Sequence, residues 1–118
     1  MIMERDERIK LYIRAIRDWG QTAQVDMAFE ECGELIAVLA KDKRGRVSAE
    51  EIITELADVS IMVEQVAVML GYQNFMEEKE NKLERLRDRL DKFEQKKREE
   101  NGNQRNEEEN GRDRQADS

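Results

Sequence analysis

The segment EIITELADVSIMVEQVAVML, residues 51–70, is the most apolar part of this chain and constrains its fold more than any other feature. Ser48 followed three residues later by Glu51 forms a capping-box pattern before it, and Gly71 is expected to close the helix. Apolar side chains occupy nearly every angular sector of this third helix, rather than one stripe. They are Ile52, Ile53, Leu56, Val59, Ile61, Met62, Val63, Val66, Met69 and Leu70.

A helix that is apolar on all sides needs neighbours on all sides. Three other short helices of one chain would struggle to surround it, so we expect the third helix to pack against its counterpart in a second subunit. The chain is therefore predicted to form a homo-oligomer, either a dimer or a tetramer.

Two helices are expected before this segment. Residues 2–19 carry apolar side chains at three- and four-residue spacing, and Gly20 is expected to end that first helix. Thr22 is the predicted N-cap of a second helix over about 22–43, and Gly45 suits a left-handed turn after it. The sequence contains no proline, which favours uninterrupted helices.

A fourth helix and a tail are expected after it. Asn74 with Glu77 is a capping signal for a helix whose apolar residues repeat with heptad-like spacing. Residues 98–118 are charged and almost free of apolar side chains, so we predict a disordered tail there. The expected fold is an all-α four-helix bundle over 1–97, packed across a homodimer.

The residue types that are scarce or absent exclude several kinds of chemistry. Histidine is absent, which removes Ser-His-Asp and Cys-His nucleophiles, His-rich zinc sites and the Glu-x-x-His pattern of di-iron bundles. Cys32 is the single cysteine, so no internal disulfide can form and a reducing compartment is favoured. Carboxylates, Lys, Arg and a hard metal remain for chemistry.

Charge and hydropathy limit the expected partners and location. The formal net charge of −7 disfavours a nucleic-acid backbone or an anionic membrane surface as the main partner, and it favours cations. The first residues lack the apolar run of a secretion signal, and no stretch of about 18 apolar residues is present to span a bilayer. We therefore expect a cytoplasmic protein.

Two pairs of carboxylates are expected to converge between the second and third helices. Each pair has a spacing of three residues and apolar neighbours that should face the core. In an antiparallel arrangement the pairs lie about two and a half turns from the loop, which brings them level. Four partly buried carboxylates need a counter-charge, and all-oxygen ligation selects Mg²⁺, or Mn²⁺, over softer metals. The pairs are Glu31 with Glu34, and Glu55 with Asp58.

The same carboxylates form a recognisable motif pair. The stretch EECGE at 30–34, followed after twenty residues by ELAD at 55–58, resembles the EExxE and ExxD motifs of the MazG-like all-α nucleoside triphosphate pyrophosphohydrolases. The resemblance extends from about Trp19 to Arg89 and includes WGQTAQVDMAFEECGEL, EIITELADVSIMVEQ and NKLERL. It implies Mg²⁺-dependent hydrolysis of a nucleoside triphosphate to the monophosphate and pyrophosphate, as housecleaning of the nucleotide pool, in an obligate helical dimer or a dimer of dimers.

The resemblance also implies roles for individual residues. By motif position the catalytic carboxylates include the metal ligands Glu31, Glu34, Glu55 and Asp58. For Glu30 three roles stay open, namely ligation through water, ligation of a second metal, and orientation of the attacking water. The implied triphosphate-binding residues are Lys82 and Arg85, with Lys79 as a further candidate. Trp19 or Tyr12 of the first helix is expected to stack on the base.

Other interpretations of these residues stay open. Glutamates on a helix usually form a solvated face, and Lys82 and Arg85 have acidic neighbours with which they can form surface ion pairs. The alternative from a different class is a non-catalytic helical assembly or adaptor protein with a short C-terminal coiled coil. A carboxylate-only metal-storage bundle is a third. The preferred base is not legible from the sequence.

Overall fold

The computed structural model describes the backbone of residues 1–116 and the side chains of residues 1–111. Over this range the fold is all-α, with four helices and no strand, as predicted. The helices are α1 Arg5–Trp19, α2 Gln21–Asp42, α3 Ala49–Leu70 and α4 Tyr72–Ala116. Among these described residues no helix combines the length and apolarity needed to cross a bilayer.

A glycine separates α1 from α2. Gly20 has a φ of 91°, and its N–H donates to the carbonyl oxygen of Ile16 at 2.8 Å, so it ends α1 as predicted. The predicted N-cap Thr22 is wrong, because α2 begins at Gln21. The carbonyl of Gly20 accepts from the N–H of Gln24 at 3.2 Å, so the first helical bond forms two residues earlier.

The connection between α2 and α3 agrees with the capping signals. Gly45 has a φ of 67°, which confirms the predicted left-handed turn. The Ser48 side chain accepts a hydrogen bond from the N–H of Glu51 at 3.3 Å, so the predicted cap of α3 is present. Because this connection is short and α2 and α3 pack extensively along each other, the two form an antiparallel helical hairpin.

The start of α4 differs from the prediction. The helix begins at Tyr72, directly after Gly71, rather than at an Asn74 cap. Gly71 has a φ of 116° and closes α3 as expected. Its carbonyl also accepts from the N–H of Phe75 at 3.1 Å, which makes it the first hydrogen-bond acceptor of α4.

The structure continues α4 as helix over residues 98–116, where the sequence predicts a disordered tail. Residues 117–118 lie outside the described range. The disorder prediction depends on the lack of apolar surface to bury. A helix pairs its backbone polar groups within its own segment, and no proline interrupts this one, so the continuation needs no tertiary contact.

The chain divides into two compact units, Met1–Met76 and Glu77–Ser118. In the first unit α3 packs against both α1 and α2. This packing buries Tyr12, Met62 and Ala67, together with the side chains of Gln24 and Gln65. Much of the apolar surface of α3 stays exposed within the single chain. Its exposed large side chains are Ile53, Leu56, Ile61, Val63 and Leu70.

Candidate metal centre

Three of the four predicted metal ligands come together between α2 and α3. Glu31, Glu34 and Glu55 each offer a carboxylate oxygen, and these oxygens all lie within 4.8 Å of one another. Glu31 and Glu34 are three residues apart and so project from the same side of α2. The antiparallel hairpin places Glu55 of α3 beside them, at a similar distance from the Gly45 turn. We call these three residues the acidic cluster.

The two remaining motif carboxylates lie outside the acidic cluster. Asp58 is not one of the three converging groups, although its negative charge helps to raise the pKa of both Glu31 and Glu55. Glu30 is exposed. The structure therefore brings Glu31, Glu34 and Glu55 within reach of one ion and keeps Asp58 close enough to act through its charge.

Burial and repulsion both act on the acidic cluster. Desolvation is the largest cause that raises the pKa of Glu31, followed by repulsion from Glu34 and Asp58. The pKa of Glu55 is raised by the same causes in the same order. The Oε2 atoms of Glu31 and Glu55 are buried and accept no hydrogen bond from the described residues. Each of these oxygens needs a proton or a cation to compensate its lost hydration.

The residues present fit a hard divalent cation. All three groups of the acidic cluster are carboxylates, which are the ligands that Mg²⁺ and Mn²⁺ take in proteins. Mg²⁺ holds its oxygen ligands at about 2.1 Å, so opposite ligands lie about 4.2 Å apart, and the three oxygens here all lie within 4.8 Å of one another. The buried Oε2 atoms of Glu31 and Glu55 are two acceptors that such an ion would satisfy. The fit supports a metal site at this position.

The predicted triphosphate-binding residues lie on α4, in the second unit. Lys79, Lys82 and Arg85 are all exposed. The Nζ of Lys82 lies 3.8 Å from the Oε1 of Glu78, one turn earlier. Their side chains are accessible to an anionic ligand, and in the described structure Lys82 takes part in a surface ion pair.

The two aromatic candidates for base stacking differ in burial. Trp19, the last residue of α1, is 66% exposed, whereas Tyr12 is 5% exposed and belongs to the core. Trp19 lines an apolar groove of about 540 Å³ between α1 and α3, together with Ile61 and Gln65. Only Trp19 therefore offers an accessible ring face.

The sequence analysis missed a polar group beside this groove. The Nε of Arg8 donates to the Oε2 of Glu64 at 3.4 Å, and desolvation followed by the Glu64 charge raises the pKa of Tyr12. Gln65 is buried, and its Oε1 has no hydrogen-bond partner among the described residues. The signal was present in the sequence, because Glu64 and Gln65 interrupt the apolar residues of the third helix.

Comparison of the chain with models of protein families, with curated proteins and with solved structures gives no match. A functional assignment therefore depends on the motif pair and on the geometry of the acidic cluster.

Proposed function

We propose that this chain is a Mg²⁺-dependent nucleoside triphosphate pyrophosphohydrolase of the MazG-like type. It would convert a ribo- or deoxyribonucleoside triphosphate and water to the monophosphate and pyrophosphate, as cytoplasmic housecleaning of the nucleotide pool. One observation carries the proposal. Carboxylate oxygens of Glu31, Glu34 and Glu55 lie within 4.8 Å of one another between two packed helices, and two buried oxygens have no hydrogen-bond partner among the described residues.

The acidic cluster supplies the metal ligands in this proposal. Glu31 and Glu55 provide the buried oxygens, and Glu34, which is exposed, provides the third ligand. Asp58 adds negative charge and completes the predicted set. When bound, Mg²⁺ would polarise phosphoryl oxygens and offset the negative charge that develops on the departing pyrophosphate.

In this proposal Glu30 binds the attacking water molecule and accepts its proton. It is exposed and lies one helical turn before Glu34 on α2, so its carboxylate can accept a hydrogen bond from a water molecule at the edge of the site. In the proposed step, the water oxygen forms a bond to phosphorus at the α–β linkage and the bridging P–O bond breaks. The Glu30 carboxylate takes the water proton, and pyrophosphate leaves with the bonding electrons.

The remaining substrate contacts follow from charge and shape. Lys82 and Arg85 would hold the triphosphate by charge-assisted hydrogen bonds, with Lys79 as a further candidate. Trp19 would stack on the base, which is supported by its exposed ring and by the apolar groove that it lines. In this proposal the side chains of that groove determine which base is preferred.

A homodimer or tetramer is part of the proposal. Its support is the exposed apolar surface of α3, which includes Leu70 at 78% exposure, and a second apolar groove of about 500 Å³ lined by Cys32, Val66 and Phe75. Sedimentation velocity tests it. We expect a species of at least two chains, and a Val66→Glu variant should shift the population to monomer. A wild-type monomer at all concentrations would contradict the oligomer.

The direct test of the activity is pyrophosphate release from a panel of canonical and modified nucleoside triphosphates, with Mg²⁺ and with EDTA. We expect Mg²⁺-dependent release with at least one nucleotide. Absence of release with every nucleotide, together with a melting temperature unaffected by Mg²⁺, would favour the non-catalytic adaptor. Metal binding without release would favour metal storage.

A further inference from the structure

The long helix α4 carries a narrow apolar surface that has no role in the proposed hydrolysis, although the proposed triphosphate-binding residues lie beside it. Within the second unit four apolar side chains follow one another at spacings of three, four and three residues. All four are exposed, by 49%, 48%, 49% and 62% in chain order. We call them the α4 stripe: Leu83, Leu86, Leu90 and Phe93.

The α4 stripe has the shape of a coiled-coil seam. At about 100° per residue the four side chains span about 80° of the helix circumference. This is the width of a strict a/d seam, with Leu83 and Leu90 at a positions and Leu86 and Phe93 at d positions. Lys79 and Lys97 occupy the next seam positions on either side, so the seam covers about two heptads.

The positions that flank the α4 stripe are mostly basic. At the g positions stand Lys82, Arg89 and Lys96, and at the e positions stand Glu80, Arg87 and Glu94. All six side chains are exposed. Together with Lys79 and Lys97, basic residues around the stripe outnumber acidic ones, although the whole chain has a net charge of −7. The stripe is therefore a basic-rimmed surface on an acidic protein.

A second copy of this helix is a poor occupant. In an antiparallel pair, g positions face g positions and e positions face e positions, which places Lys82 opposite Lys96 and Arg89 opposite Arg89. In a parallel pair, each g residue faces the e residue five positions later, so Lys82 meets Arg87 and only Arg89 meets an acidic residue. Like charges in these positions oppose pairing of two copies.

A membrane surface is also a poor occupant. Helices that lie in a lipid interface bury a wide apolar face and carry a basic polar face. The α4 stripe is narrow, and the opposite side of the helix mixes Glu84, Asp88 and Asp91 with Arg85 and Lys92. The opposite side is therefore not the basic polar face of an interfacial helix.

We propose that the α4 stripe docks an amphipathic helix of another protein, with apolar residues on its seam and Asp or Glu beside them. The apolar side chains would bury the stripe, and the acidic side chains would lie against Lys82, Arg87 and Arg89. The interaction shares Lys82 with the proposed triphosphate contacts, so peptide binding is measured without nucleotide, and the variants used below leave Lys82 unchanged.

The test uses the full-length protein and synthetic helical peptides of about three heptads. One peptide carries Leu at a and d and Glu at e and g, and the matched peptide carries Lys at e and g. Fluorescence anisotropy should show binding of the Glu peptide that weakens when salt rises from about 0.1 M to about 0.5 M. The Lys peptide should bind about tenfold more weakly or not at all.

Two variants separate a docking surface from general charge attraction. The L86E/L90E variant should abolish binding of the Glu peptide, since it removes the seam. The R87E/R89E variant should reverse the preference toward the Lys peptide. D88K, on the opposite side of α4, is the matched control and should leave the preference unchanged. Circular dichroism verifies that each variant keeps its helix.

Several outcomes would overturn the proposal. Equal binding of the two peptides, or no binding of either, would show that the charged rim selects no partner. Binding to vesicles containing phosphatidylserine, without binding to the Glu peptide, would assign the stripe to a membrane. Self-association that L86E/L90E abolishes, again without peptide binding, would assign it to a second copy.

Discussion

The chain places glutamates in two contrasting environments. On α2 and α3, Glu31 and Glu55 lie beside other carboxylates, and each has a buried oxygen that finds no hydrogen-bond partner in the described part of the chain. On α4, Glu78 lies 3.8 Å from Lys82, and both side chains are more than half exposed. The residue type and the helical setting are the same. Over the described range Glu31 and Glu55 form no salt bridge, whereas Glu78 forms one and is also hydrated.

This difference shows what turns acidic residues on a helix into a candidate site. On an exposed helix, water and neighbouring lysines neutralise a carboxylate, and the ion pair contributes little to stability. Between packed helices the carboxylates lose water and repel one another, so a proton or a cation becomes favourable. The predictions below test whether this contrast governs activity and stability.

The largest expected effect is on catalysis. Glu55→Gln keeps the shape of the side chain but removes its charge, and it should lower pyrophosphate release by about 10²- to 10³-fold. Glu84→Gln on α4 is the matched control and should retain wild-type release. Circular dichroism should show both variants folded. Wild-type activity in Glu55→Gln would remove the acidic cluster from the mechanism.

The second-largest effect is expected in the stabilisation by Mg²⁺, which should depend on the acidic cluster and not on the glutamates of α4. Mg²⁺ at about 100 times its Kd should stabilise the wild-type fold by about 2.7 kcal/mol, because the ion binds the folded acidic cluster and not the unfolded chain. Differential scanning calorimetry should show this stabilisation as a rise in Tm on addition of Mg²⁺, both in wild type and in Glu84→Gln. Glu31→Gln should show little of it. An equal rise in all three proteins would indicate nonspecific binding to surface carboxylates.

Without metal, the stability of the folded protein should fall as the pH rises, because Glu31 and Glu55 then lose their protons. The raised pKa values of Glu31 and Glu55 mean that the folded state binds these protons more tightly than the unfolded chain. Their stabilising contribution is complete below the unfolded-state pKa of about 4.3, and it is lost as the pH rises through the raised folded-state pKa.

The Tm of Glu31→Gln in EDTA should therefore gain on wild type as the pH rises above about 4.3. Melting curves at a series of pH values measure this difference, and Glu84→Gln again serves as control. A constant difference between Glu31→Gln and wild type across the series would show that Glu31 does not titrate under repulsion.

The smallest effects are expected on α4. Glu78→Gln breaks the ion pair with Lys82 and should change the free energy of unfolding by at most about 1 kcal/mol. Lys82→Ala should raise KM about fivefold while the Tm stays nearly constant, because it removes a phosphate contact and not a core contact. Lys92→Ala is the control for the loss of one positive charge. An equal rise in KM for both would indicate a general electrostatic effect.

Much of the fold is legible in local patterns. Gly20, Gly45 and Gly71 end or follow helices where the sequence predicts, and the Ser48 side chain caps α3. The errors are also local. Thr22 and Asn74 are good capping residues, but the carbonyls of Gly20 and Gly71 accept the first helical bonds before those residues are reached. Competition between neighbouring cap positions depends on backbone geometry, which residue type describes only in part.

The candidate site is only partly legible in the same way. Spacing of three residues places Glu31 and Glu34 on one side of α2, and equal distance from the turn brings Glu55 beside them. Spacing alone predicts both Asp58 and Glu55 as metal ligands, yet Asp58 lies outside the acidic cluster. Tyr12 and Trp19 lie on one apolar stripe of the first helix, and packing buries the first while it leaves the second exposed.

The sequence by itself determined the helical class and most helix ends, because these follow from backbone propensity, and its absence of histidine left carboxylates as the main candidate metal ligands. Only the tertiary structure decided which carboxylates lose their water. Helical periodicity relates residues within a few turns, whereas desolvation of Glu31 and Glu55 depends on how α2 lies against α3. That contact joins residues far apart in the chain, and it makes two of many glutamates different from the rest.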